Sequence, residues 1–178
     1  MTERNKENFK FVWRIIIAHT IAYFIAALFS MKLYNQDWFL NGILSQIMKP
    51  TNAPIGALAL CLQTIRGVIM ALILLPVRKV FTGEKYGFLK FGFLIFALSV
   101  LSTFAASQSS IDGFIYTKLS LMEHLIGYPV AFLWVFLFSG ILWLFYKYEK
   151  KTVNIIAIVL FALINLISIA GYINALSQ

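Results

Sequence analysis

Arg66 is the residue with the most chemistry to offer. It stands inside an apolar run, eleven residues after Ile55 and ten before Pro76. At about 1.5 Å per helical residue, that is roughly 16 Å from either end. A guanidinium at such depth costs at least about 2.5–3.5 kcal/mol on insertion scales, so it should face protein or a wet cavity rather than lipid. Gln63, three residues earlier, and Met70, four later, share its helical face. Gly67 beside it would let a neighbouring backbone come close. The long apolar runs of the chain contain no Asp or Glu, so the cation has no carboxylate at its own depth. His19, Ser99, Ser102, Ser139 and Asn165 are the polar groups at similar depth in other runs. The pattern predicts a polar pocket between helices, built from Arg66 and Gln63 with His19 and Asn165 as further walls. An unpaired cation there favours an anion: the carboxylate or phosphate of a solute, or a lipid headgroup. A structural reading stands beside it. Arg66 would then hold Glu123 or Asp112, should residues 107–128 dip inward, or satisfy helix carbonyls, because buried polar pairs also specify packing.

Other chemistry is thin. His19 and His124 do not make a haem pair, since one falls near mid-run and the other near an outer boundary. Glu123 and His124 are adjacent and point about 100° apart on a helix, a poor metal pair. No metal site and no cofactor are therefore expected. Neither H-E-x-x-H nor G-x-S-x-G occurs, and Cys61, the single cysteine, has no base beside it. Glu123 and His124 remain the one acid–base pair that a lipid-directed enzyme at the outer surface would use.

These side chains must be positioned by membrane helices. The 178 residues are 61% apolar and 12% charged, with a mean hydropathy of +0.83. Soluble domains carry about twice that share of charge, so neither a water-soluble globule nor a disordered chain fits. Five apolar runs are long enough to cross a bilayer as helices, at about 11–31, 55–76, 87–106, 129–147 and 153–172. The fold class expected is an all-α bundle of five transmembrane helices in a single domain, 1–178. The net charge of +8 lies in short clusters between the runs, a topology pattern rather than a nucleic-acid stripe. One side collects Arg4, Lys6, Lys10, Arg14, Arg78, Lys79, Lys85, Lys90, Lys147, Lys150 and Lys151. The other holds Lys32, Lys49 and Lys118. That asymmetry predicts the N-terminus in and the C-terminus out. Trp13, Tyr86, Trp143, Tyr146 and Tyr148 would belt the inner face, and Tyr34, Trp38, Tyr116, Tyr128 and Tyr172 the outer one. The N-terminal run is expected to be an uncleaved first span, with no lipidation motif. Between the first two runs, Asp37 is a plausible N-cap for a short outer helix with Leu40, Ile43, Leu44 and Ile47 along it and Pro50 as its stop. Residues 107–128 would form a second outer surface helix, a re-entrant element, or an extension of the fourth span hinged at Pro129.

Ala18, Ala22 and Ala26 form a small-residue ladder in the first run, which allows close helix approach. Packing within the bundle is one reading, and a docking face for a partner subunit is the other. The ladder resembles that of the substrate-binding S components of energy-coupling-factor vitamin transporters, which are compact bundles of about this length. That resemblance implies solute binding alongside a partner subunit. Arg66-Gly67, Leu74-Leu75-Pro76 and the stretch from Ser109 to Thr117 resemble uncharacterised multi-pass bacterial membrane proteins over the middle third of the chain. That resemblance carries no activity. The expectation is a non-enzymatic protein of the bacterial cytoplasmic membrane that binds, or helps to transport, a small anionic solute or lipid. Its partners would be the bilayer and either another membrane subunit or a second copy, not nucleic acid. The alternatives are an accessory or immunity-type subunit docked on another membrane protein, and a lipid enzyme.

Overall fold

The computed structural model of the chain describes residues 2–33, 43–46, 49, 53–101 and 108–177. All of its regular structure is helical. Helix α1 is Glu3–Leu33, α2 Pro54–Leu74, α3 Arg78–Thr82, α4 Gly87–Phe96, α5 Ile111–Tyr116, α6 Leu121–Lys147 and α7 Lys151–Leu176. Among the described residues, four helices are long and apolar enough to cross a membrane: Glu3–Leu33, Pro54–Thr82 (α2 and α3 together), Leu121–Lys147 and Lys151–Leu176. A shorter apolar helix spans Gly87–Ser99.

The boundaries follow local chemistry. Pro54 occupies the first turn of α2, where its missing N–H costs nothing. Pro76 cannot continue the ladder, and Leu75–Val77 tightens to a 3-10 turn before α3. Helix α4 ends in a π-type turn, Ala97–Leu101. The fourth expected span begins earlier than position 129. Ser120 caps α6, its hydroxyl accepting from the Glu123 N–H while the Glu123 carboxylate accepts from the Ser120 N–H, and the helix passes through Pro129. Thus 107–128 is neither one surface helix nor one continuous extension. It holds the short α5, capped by Ser110, and then the first two turns of α6. Of the outer helix expected over 37–49, Ile43–Gln46 form a single 3-10 turn. The expectations for Tyr34, Asp37, Trp38, Leu40, Ile47, Pro50 and Ser102 lie outside the described residues.

Helix α1 is the centre of the bundle. It packs on α2, α6 and α7, while α7 also lies on α2 and α4 lies on α6. Phe11, Ile15, Ala18, His19, Thr20 and Ala22 of α1 have no exposed surface. The alanine ladder, Ala18, Ala22 and Ala26, is therefore spent inside the fold and is not free to dock a partner. Gly67 has the same use from the other side: a Cβ there would lie 3.1 Å from the Ile16 Cα. Outward faces carry large exposed apolar groups, such as Ile69, Leu72 and Ile73 on α2 and Leu163, Leu166 and Ile167 on α7. Contiguous apolar surface of this kind suits lipid, not water.

Polar bonds tie one end together. Arg78 Nε donates to Asn8 Oδ1 at 2.8 Å. Glu149, between α6 and α7, accepts from Lys10 Nζ at 2.6 Å and from Arg14 Nη1 at 3.3 Å. The start of α1, the α2–α3 junction and the α6–α7 connection thus share this end, and with them most of the basic clusters. Toward the opposite end, Ser168 of α7 binds the first turns of α2: its hydroxyl donates to the Ala57 carbonyl at 2.6 Å and accepts from the Cys61 N–H at 3.2 Å.

Candidate functional site

Helix α2 presents Arg66 to a cavity of about 600 Å3 between α1, α2, the end of α4 and the first half of α6. Tyr23, Ala26, Ala27 and Ser30 line it from α1, and Met70 joins Arg66 from α2. Ile95, Leu98 and Ser99 come from α4 and its π turn, and Gly127, Val130, Ala131 and Trp134 from α6. Gln108 and Ser109 close one side. The Arg66 side chain is exposed to this space rather than buried in packing. Its guanidinium carbon lies 5.9 Å from the Trp134 ring centroid, the outer limit of a cation–π contact. Among the described residues, no carboxylate is within ion-pair distance of it.

The four residues expected to form one pocket are divided. His19 Nε2 is 3.2 Å from Gln63 Oε1, so those two meet, with the imidazole as donor. They do so behind the cavity wall. His19 is fully buried, edge-on to Trp134 at 5.6 Å and tilted against Phe138 at 5.5 Å. Neither His19 nor Gln63 lines the cavity. Asn165 is further away still, on the opposite side of α2. Its Oδ1 accepts from Thr64 Oγ1 at 3.1 Å and its amide donates to the Phe161 carbonyl at 2.9 Å. Thr64 and Arg66 are about 200° apart around one helix, so a group bonded to the first cannot reach the second. Depth along the sequence placed these polar groups at one level. It did not say which side of each helix they occupied.

The residues expected at the outer face have structural duties. The Glu123 carboxylate accepts from the Ser120 N–H at 2.6 Å and from its hydroxyl at 2.7 Å, and does not reach Arg66. Asp112 sits in the first turn of α5, where a carboxylate suits the helix dipole. His124 is buried, not solvated. Its Nδ1 accepts from the Ser109 N–H at 3.0 Å, Nε2 lies 3.3 Å from Thr117 Oγ1, and its carbonyl accepts from Ser109 Oγ at 2.6 Å. Ser109 needs that clamp, because its φ of 66° is left-handed, a costly state for a residue with a Cβ. Gly127 makes room for it: a Cβ there would collide with the Ser109 hydroxyl. An acid–base role for Glu123 and His124 would take both out of these bonds. Among the described residues, no group of three or more His, Cys, Asp or Glu is placed to hold a metal ion.

Several contributors were legible but unread. Ser120-x-x-Glu123 is a capping-box signature. Trp134 lies among residues of similar apolarity, and only packing singles it out. Arg14, counted in the sequence as a topology cation, is 1% exposed and packs under Tyr146, 4.5 Å from its ring centroid. Neither a family model, nor a curated protein, nor a solved structure matches the chain. Among the described residues, fold and site together define an all-helical protein with four helices suited to a membrane and with Arg66 facing a cavity between helices.

Proposed function

We propose that the chain is a five-span protein of the bacterial cytoplasmic membrane, N-terminus in and C-terminus out, which binds or helps to transport a small anionic solute or lipid in the Arg66 cavity. The role is non-enzymatic. The observation that carries this reading is Arg66 itself: a guanidinium midway along an apolar helix, facing open space, with no described carboxylate in reach. An anion from outside the chain would compensate such a group in a low-dielectric setting.

The five-span count has its own support. Helices α2 and α3 finish at the basic end, and α6 starts toward the opposite one. Helix α4 begins beside that basic end, with Phe88 against Trp143, and its π turn reaches the cavity with Gly127 and Val130. The apolar α4 segment is thus suited to carry the missing crossing. The basic end is assigned to the cytoplasm by its Lys and Arg. The lipid-enzyme reading loses support because Glu123 and His124 are committed to caps and clamps. The docking reading loses the face on which it relied.

Native mass spectrometry of detergent-purified protein tests the function. Wild type should retain a small anionic molecule, and Arg66→Gln should be purified without it. An equal occupancy in both, or an empty wild type, would contradict the reading.

A further inference from the structure

The lining of the cavity narrows the class of its occupant, an inference that rests on the anion-binding reading. Among the described residues, Arg66 is the one charged residue that lines it. Three of the polar lining side chains already donate to backbone carbonyls: Ser30 to Ala27, Gln108 to Glu123 and Ser109 to His124. The remaining wall is mostly apolar, with Met70, Ile95, Leu98 and Val130 prominent, and the volume of about 600 Å3 is that of a small-molecule site. Tyr23, Ser99 and the Trp134 Nε1–H, partnerless among the described residues, can serve a headgroup beside Arg66, but hydroxyls or amides laid along Met70, Ile95, Leu98 and Val130 would be left without partners, at a cost. A dianion would leave one negative charge uncompensated beside hydrocarbon. We infer that the occupant is a monoanionic amphiphile, with one carboxylate or phosphodiester on the Arg66 fork and an apolar body along the α4–α6 wall. A free apolar acid and an anionic membrane lipid share that chemistry.

Equilibrium binding of radiolabelled octanoate, to full-length protein in phosphatidylcholine nanodiscs with empty discs subtracted, tests it. One octanoate should bind per protein. Affinity should rise about three- to fourfold per methylene from butanoate to octanoate. Octanol should bind at least tenfold more weakly, and the dianion octyl phosphate no more tightly than octanoate. Arg66→Gln should lose at least tenfold in octanoate affinity, and Arg66→Lys, which keeps the charge but not the bidentate fork, should fall between the two. Competition by phosphatidylglycerol added to the discs would identify a lipid as the source; its absence would identify a free acid. Acetate and inorganic phosphate binding as tightly as octanoate, and requiring Arg66, would overturn the amphiphile while leaving the anion reading in place. If no anion binds, both fall. If Arg66→Gln does not fold, the octanol comparison and Arg66→Lys decide: octanol binding as tightly as octanoate overturns the inference.

Discussion

The Arg66 guanidinium and the Trp134 ring, 5.9 Å apart, form one wall of the cavity, and His19 lies edge-on behind that ring. A cation is thus held against an aromatic face whose back is fixed by a buried imidazole hydrogen-bonded to Gln63. Substitutions can separate what this arrangement does from what merely holds it up.

His124 is a clamp, and its removal should show as lost stability. In His124→Ala the buried Ser109 N–H loses its acceptor while Ser109 remains in its left-handed state. An unsatisfied buried donor costs about 1–3 kcal/mol. Thermal unfolding in detergent should register that loss, and Thr117→Val should register one of similar size, because its hydroxyl serves His124 Nε2, the Gly113 carbonyl and the Leu119 N–H. A His124→Ala protein as stable as wild type would show that the turn does not depend on the imidazole.

Ser168 should matter much less, for a related reason. Its hydroxyl stands between the Cys61 N–H and the Ala57 carbonyl, two groups four residues apart that an α-helix bonds to each other. In Ser168→Ala, those two groups keep each other as partners within α2. The expected cost is about 0.6 kcal/mol, typical of one interhelical hydrogen bond in a membrane protein. A loss as large as that of His124→Ala would mean that α2 does not hold that bond without α7.

Glu149 links pH to stability. The Lys10 hydrogen bond, assisted by Arg14, holds its carboxyl below the ordinary value of 4.5. The folded state therefore favours the ionised form. The contribution is complete above the unfolded carboxylate's titration and is lost as pH falls through the lower folded value. Glu149 is half exposed, so solvent screens the pair and the effect is small. At neutral pH, Glu149→Gln should melt a few degrees below wild type, and the gap should narrow as pH drops below about 4. Parallel melting curves across that range would remove Glu149 from the account.

Topology is testable from the two ends. In a Cys61→Ala background, a membrane-impermeant maleimide applied to intact cells should label Ser177→Cys and not Thr2→Cys. Permeabilisation should expose the second. Labelling of both or neither on intact cells would require an even number of crossings and refute the count of five.

How much of this was legible in the sequence depends on the kind of signal. Hydropathy located the long helices because the bilayer sets their length, and Pro76 announced the break after α2. Hydropathy failed at 107–128, where the Ser120 and Glu123 cap, a side-chain signal, starts α6 before the apolar run begins. Site residues were harder. Spacing along α2 put Gln63 and Arg66 on neighbouring positions, but nothing in the spacing says that His19 takes the Gln63 oxygen, or that Thr64 turns Asn165 to the far side. Depth is one-dimensional information, and a pocket also requires the rotation of each helix. Arg14 shows the same limit: its charge was read, and its burial under Tyr146 was not.

The charge at Arg66 can be read most directly from its neighbour. In a variant with Trp134 as the sole tryptophan (Trp13→Phe, Trp38→Phe, Trp143→Phe), iodide and caesium quenching can be compared in nanodiscs, with neutral acrylamide as the reference. An unpaired guanidinium facing an open cavity concentrates anions, so iodide should quench Trp134 several-fold more efficiently than caesium, and Arg66→Gln should abolish the preference. Equal quenching by the two ions with Arg66 in place, or none by either ion or by acrylamide, would show that the cation is neutralised or that the cavity is closed.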